Sequence, residues 1–227
     1  MQVSIIAIGD ELLIGQVVDT NSGMISREIN PDGWSVRSVR VVADDADEIK
    51  RAIKQAFDET DVVLTTGGLG PTKDDITKGS LMKCFGGEIY HSQEVEDNVR
   101  NIFEKRGIVM NELTLAQADV PTSCRVIQNQ LGTAPIMRFE REGKVLVSMP
   151  GVPFETETMM EREVIPQLIS YFDGGEDIEF RTFVVAGIPE SNLAIKLNDF
   201  ENELPEFLHL AYLPDGGIVR LRLSGAL

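Results

Sequence analysis

Through residue 66 the chain alternates strand and helix patterns, and this alternation restricts its fold more than any other feature. Residues 3–8 form a short apolar strand ending at Gly9. A polar stretch through Asp19, Thr20 and Asn21 then leads into a helical segment reaching about residue 29. Residues 36–42 read as a second strand, preceded by the turn signal Pro31-Asp32-Gly33. Ile49, Ala52, Ile53, Ala56 and Phe57 recur at the spacing of one helix face. Residues 61–66 supply the third strand. Such an order demands parallel pairing with right-handed crossovers. It also places ligand chemistry beyond the carboxyl ends of the strands. Gly9-Asp10-Glu11, Asp44-Asp45 and the run from Gly67 to Asp75 all follow strands, so all three are expected at that edge.

The third strand runs into Thr66-Gly67-Gly68-Leu69-Gly70-Pro71-Thr72-Lys73-Asp74-Asp75-Ile76-Thr77. Three glycines in four positions let backbone come close to a ligand and present successive N–H groups. A helix start just beyond adds partial positive charge, so the turn suits a phosphate. The adjacent carboxylates of Asp74 and Asp75 make sense beside a phosphate if a cation lies between, and oxygen donors suit a hard divalent ion. The plainer alternative is a tight strand-to-helix turn whose acids only favour the first helical turn. The pattern is neither Walker A nor the dinucleotide Gly-x-Gly-x-x-Gly fingerprint.

Twenty-one Lys+Arg against 37 Asp+Glu give a net charge of -16, which repels nucleic acid and anionic membranes at long range. Cys84 and Cys124 lack metal-ligand spacing and read as reduced core thiols. The start Met1-Gln2-Val3-Ser4 lacks a basic signal-peptide region, and no apolar run approaches membrane-spanning length, so a cytoplasmic protein is expected.

Residues 76–119 read as helical, with breaks near Gly86-Gly87 and Gly107. Residues 136–139 and 144–148 flank a turn and read as a hairpin. Met149-Pro150-Gly151-Val152-Pro153 precedes a long helix over about 154–172, and residues 173–177 read as a linker. Domains are therefore expected at 1–172 and 178–227, the second a small α+β unit of β–α–β–β order. Glu11 would have to point back over the sheet edge to bind a ligand. Asp19, Thr20, Asn21, Asp44 and Asp45 are also ordinary helix-capping types. The loop with Asn129, Gly132 and Thr133 reads as a turn, and Pro150-Gly151 equally as a pocket wall or a connector. His91 and His209 fall outside every constellation, and no serine-triad or Nudix motif is present.

These motifs resemble the competence/damage-inducible protein CinA family. The resemblance rests on residues 5–16 with Asp19-Thr20-Asn21, on 66–77, on Asn129-x-x-Gly132-Thr133-Ala134-Pro135, on residues 149–155, and on Gly187-Ile188-Pro189-Glu190-Ser191. It implies an α/β, three-layer parallel/mixed sheet of the molybdopterin-binding (MoaB/Mog-like) type, followed by a small KH-like α+β unit that lacks its last element. It also implies hydrolysis of ADP-ribose to AMP and ribose 5-phosphate, dependent on a divalent cation (Mg²⁺, Mn²⁺ or Co²⁺) and on K⁺, by a homodimer. By the same resemblance, Asp75 matches the loop acid of the cofactor-synthesis relatives and Asp44 the acid after the second strand. Ile136 departs from the glycine common there. The nicotinamide-nucleotide amidohydrolase domain of many members has no counterpart here, so no deamidase activity is assigned.

The combined expectation is metal-assisted hydrolysis of a phosphorylated small molecule. Asp75, Asp74, Asp44 and Glu11 are the candidate catalytic groups, with Asp74 and Asp75 on the metal. Gly67, Gly68, Leu69, Gly70, Thr72, Asn21, Gly132, Thr133, Pro150 and Gly151 are the candidate phosphate and nucleotide contacts. The rival expectation is a pterin- or nucleotide-binding module without turnover. RNA binding by the acidic C-terminal unit is disfavoured.

Overall fold

The computed structural model describes residues 1–72, 75–172 and 178–226. It divides into two compact units, Met1–Ile29 with Trp34–Asp173, and Asn30–Gly33 with Gly174–Leu227. Lys73, Asp74 and the expected linker at 173–177 lie outside the described residues.

The first unit opens with β1 (Gln2–Ile8), the short α1 (Asp10–Leu13), α2 (Asn21–Ile29), β2 (Ser35–Val42), α3 (Ala46–Glu59) and β3 (Val62–Thr66). α4 (Thr77–Phe85), β4 (Ile89–His91), α5 (Gln93–Arg106), α6 (Glu112–Leu115), β5 (Asp119–Pro121) and β6 (Arg125–Ile127) follow. The unit closes with β7 (Ile136–Arg141), β8 (Lys144–Met149), α7 (Pro153–Met159) and α8 (Ile165–Phe172). The main sheet runs β2-β1-β3-β8-β7-β6. β2, β1, β3 and β8 are mutually parallel, whereas β7 joins β8, and β6 joins β7, in antiparallel fashion. A mixed sheet results, and its four parallel strands end together at Val42, Ile8, Thr66 and Met149.

The central strands β1, β3 and β8 are buried on both faces and read as mostly apolar runs without polar alternation, whereas the edge strand β2 alternates exposed and half-buried residues. Val3, Ile5, Val62 and Leu64 face a core shared with Ile25, Ile29, Met159 and Leu168. Ile6, Ile8 and Val63 face the other core, with Ile49, Ile53, Ala56 and Leu81. The helix face predicted from spacing is thus the buried face of α3, and each fully buried Ile or Leu there contributes about 1.5–3 kcal/mol. Asp45 caps α3, accepting from the N–H groups of Asp47 and Glu48.

Two local expectations are corrected. The stretch 76–119 is not helical throughout, because β4 pairs antiparallel with β5 over three residues. Strands this short carry no readable period. The helix expected over 154–172 contains a π turn at Met160–Val164, where the Ile165 N–H reaches back to the Met160 carbonyl. The turn sits directly before Pro166, which has no N–H to donate and would crowd a regular helix.

His91 in β4 sets up a pH-dependent tie. Its Nδ1 lies 2.8 Å from Asp119 Oδ1 and its Nε2 2.6 Å from Glu96 Oε2, while Arg100 also pairs with Glu96. These carboxylates raise the His91 pKa, the Glu96 hydrogen bond most, then that of Asp119. A group raised on folding contributes fully below its unfolded pKa, near 6.5, and loses that contribution as pH climbs through the higher folded value. We predict that β4 amide protection falls as pH rises through the raised His91 pKa, and that His91→Gln flattens this dependence. Hydrogen exchange at residues 89–91 measures both.

The second unit holds β9 (Ile178–Ala186), α9 (Glu190–Asn202), β10 (Leu208–Asp215) and β11 (Ile218–Ala226). Its antiparallel sheet runs β10-β11-β9, and Leu193 of α9 packs on Val219 and Leu221. Among the described residues, no helix is long and apolar enough to cross a membrane.

Candidate functional site

The parallel strands deliver Gly9-Asp10-Glu11, Ala43-Asp44, Gly67–Thr72 and Pro150-Gly151 to one edge of the sheet. The turn after β3 is shaped by backbone. Gly67 (φ 99°) donates its N–H to the Met149 carbonyl at 3.1 Å, and Gly68 (φ 63°) follows it in the left-handed region. A methyl group on Gly67 would sit 2.1 Å from the Ile8 carbonyl oxygen, and one on Gly68 2.1 Å from Thr77 Oγ1. A methyl on Gly151 would rest 3.4 Å from Gly67 Cα, so the two glycines pack backbone to backbone. Gln117 Nε2 donates to the Leu69 carbonyl at 2.9 Å, tying the turn to the segment after α6.

Asp75 does something the sequence did not announce. Its Oδ1 accepts from the Gly70 N–H at 2.7 Å, and its Oδ2 accepts from both the N–H and the hydroxyl of Thr72. The carboxylate therefore braces the turn from within. The Gly67 and Gly70 N–H groups are engaged by protein, as is the Thr72 hydroxyl. Among the described residues, the N–H groups of Gly68 and Leu69 have no acceptor. Successive N–H groups without acceptors in a glycine turn are the kind of donors from which anion-binding nests are built.

Acids lie close to this turn. Asp44 Oδ2 accepts from the Asp10 N–H at 3.1 Å, and Asp10 Oδ1 accepts from the Asp44 N–H at 3.2 Å. Asp44 Oδ1 lies 3.3 Å from where a Gly68 Cβ would be. The Glu11 carboxylate folds back over the sheet edge, 2.5 Å from the corresponding point on Gly9. Burial raises the Asp44 pKa; the Asp10 N–H opposes this, while the charges of Asp10, Glu11 and Asp75 add to it. Asp74 lies outside the described residues.

Asn21 is 7% exposed, and its Nδ2 donates to the Gly151 carbonyl at 2.8 Å. Its Oδ1, the Ser22 hydroxyl and the Thr77 hydroxyl are buried without a partner among the described residues. Ser22 and Thr77 are additions to the candidate set; Thr77 was visible only as the end of the glycine motif. Asp19, by contrast, accepts from the Ser22 N–H as an ordinary helix-start residue. Gly132 and Thr133 belong to a loop braced by Asn129, whose Oδ1 accepts from the Gly132 N–H. Asn129 Nδ2 reaches Glu155 Oε2 at 2.9 Å, and a methyl on Gly132 would collide with that same carboxylate. The hydrogen bonds of Asn129 run to α7 and α5 and do not include the glycine turn.

Donor chemistry and geometry limit how a metal could bind. All the acids offer hard oxygen atoms, but no group of three or more His, Cys, Asp or Glu among the described residues is arranged to hold an ion.

Residues 4–170 match the family described as "Probable molybdopterin binding domain". A solved structure of the CinA protein from Thermoplasma acidophilum, titled as of unknown function, is 35% identical, with a TM-score of 0.66 over 74% of this chain and 97% of that one. The chain belongs to the CinA family. CinA-like proteins of Flavobacterium psychrophilum and Chloroherpeton thalassium are 42% and 40% identical, each across 99% of this chain. The chain spans about half the length of these relatives, 54% in both cases. The molybdopterin biosynthesis enzyme MoaB of Thermus thermophilus shares the fold alone, at 17% identity and a TM-score of 0.51 over 77% of this chain and 98% of that one. The CinA-family assignment and the mixed α/β sheet thus agree with what the motifs implied.

Proposed function

We propose that the first unit binds the phosphates of a nucleotide-type ligand at Gly68 and Leu69 and hydrolyses ADP-ribose to AMP and ribose 5-phosphate. The observation that carries this reading is the pair of consecutive N–H groups that find no acceptor among the described residues, in a turn whose glycines tolerate no side chain, with Asp10, Glu11, Asp44 and Asp75 close by. The backbone donors would orient one phosphate. Asn21 Oδ1 and the Thr77 hydroxyl would complete the hydrogen bonding of the ligand. Asp44, with a pKa nearer neutrality than an ordinary carboxyl, would accept the proton of the attacking water. The water oxygen bonds to phosphorus as the bridging P–O bond breaks. A divalent cation (Mg²⁺, Mn²⁺ or Co²⁺, with K⁺) arriving with the phosphates would offset the charge of these acids.

Incubation with ADP-ribose, K⁺ and each divalent cation, with AMP scored by chromatography, tests the reading. AMP formation that depends on the cation and falls about 10²–10⁴-fold in Asp44→Asn is expected. Undiminished turnover in that variant would remove Asp44 from the reaction. A second reading, binding without turnover, draws on Asp75, whose oxygens are already committed within the turn. Tight ADP-ribose binding by calorimetry with no AMP under any cation would establish it.

A further inference from the structure

A cavity opens at the other edge of the main sheet. Val145 pairs with Val62, and Met149 with Thr66, so Lys144 and the hairpin turn lie a strand's length from the glycine turn, roughly 17 Å. α3 and α4 both end here. The cavity, about 440 Å³, is lined by Lys50, Lys54, Lys83, Arg141 and Lys144, by the acids Asp58 and Glu142, and by Ile53, Phe57, Cys84 and Phe85. Five cationic side chains against two acidic ones give it a net charge of about +3, in a chain whose total is -16. The local sign is the reverse of the global one.

Two of the five cations have a structural task. The Arg141 guanidinium donates to the Cys84 carbonyl, and Lys144 donates to the Phe57 carbonyl, satisfying the ends of α4 and α3. Lys50, Lys54 and Lys83 have no such task and form no ion pair among the described residues. Lys50 and Lys54 stand one turn apart on α3, where like charges repel. A bound anion would remove that repulsion. The floor is aromatic: Phe57 and Phe85 meet edge to face at 5.4 Å, Phe85 stacks on Phe139 at 4.6 Å, and Arg141 lies 4.7 Å over the Phe85 ring. Lysines above an aromatic floor suit a ligand with both a charge and a flat ring, and the volume is that of a small-molecule site, typically about 300–1,000 Å³.

We propose that this cavity is a second ligand site, separate from the glycine turn, for a phosphorylated compound carrying a planar ring, the chemical class of a nucleoside phosphate. The phosphates sit among Lys50, Lys54 and Lys83, and the ring lies against Phe57 and the Arg141 guanidinium, which covers the face of Phe85 that Phe139 leaves open. Cys84 in the wall reports occupancy without any need for turnover, so failure of the hydrolase reading leaves this site untouched.

The experiment is alkylation of Cys84 by iodoacetamide at alkaline pH in the whole chain, followed by mass spectrometry of the Cys84 peptide, with ADP as the probe. At ten times its dissociation constant ADP should slow alkylation about tenfold, because only the free protein reacts. The double variant Lys54→Glu, Lys83→Glu should abolish that slowing, and since both lysines are exposed, an unchanged circular dichroism melt is expected. No slowing by millimolar ADP would overturn the proposal. So would equal slowing in the double variant, which would place the effect elsewhere, or equal slowing by adenosine, which carries no phosphate.

Discussion

Gly67→Ala should lower the melting temperature of the first unit by roughly 6–12 °C, corresponding to about 3 kcal/mol at a few degrees per kcal/mol for a domain of this size. Two costs combine. A φ of 99° is a conformation that side-chain-bearing residues rarely adopt, at about 1–3 kcal/mol. The new methyl would also meet the Ile8 carbonyl oxygen at 2.1 Å, and backbone in a central strand cannot step aside as a flexible side chain would. Overpacking of that kind adds about 1–3 kcal/mol. Gly15→Ala is the control, since its φ of 73° is similarly unfavourable but nothing lies within 4 Å of the added methyl. It should cost only about 1–2 kcal/mol. Equal melting shifts in the two variants would mean that the contact with Ile8 carries no weight.

Asp75→Ala should have the largest effect on the ligand. It removes the acceptor of three hydrogen bonds, leaving the Gly70 and Thr72 N–H groups to be satisfied by water in a loosened turn. Bonds to a charged acceptor are worth about 1.5–3 kcal/mol. If ordering the turn must then be repaid on binding, a 2 kcal/mol loss weakens ADP affinity about 30-fold. The informative condition is calorimetry without any divalent cation. A brace fails there as fully as it does with the cation present. A variant that binds normally without the cation and loses only the cation's contribution would restore Asp75 to the role of metal ligand.

The legibility of this molecule varied with the range of the interaction. The order β1–α2–β2–α3–β3 was readable because buried strands are apolar runs and α3 repeats its apolar face every turn. Once parallel pairing followed, the meeting of Glu11, Asp44 and the glycine turn at one edge followed too. The role of Asp75 was not readable, because it depends on the chain curling back five residues onto the Gly70 N–H, and any acid near a helix start looks alike in sequence. The β4–β5 pair was too short for its period to register. The cavity beneath Lys50, Lys54 and Lys83 was hidden because its lining comes from two helix ends and a hairpin turn, and no single segment is basic.

The bond from Asn21 to the Gly151 carbonyl joins residues 130 positions apart. Asn21 opens α2, between β1 and β2, and Gly151 follows β8, so this bond, like the glycine turn it adjoins, can form only when β1, β3 and β8 have come together. A molecule held at that edge is therefore held by the finished fold and by nothing that precedes it. Its binding energy becomes resistance to unfolding, about 2.7 kcal/mol at a hundredfold excess over the dissociation constant. Thermal-shift screening of unlabelled metabolite collections thus becomes a direct way to find the natural occupant, with the whole sheet serving as the reporter.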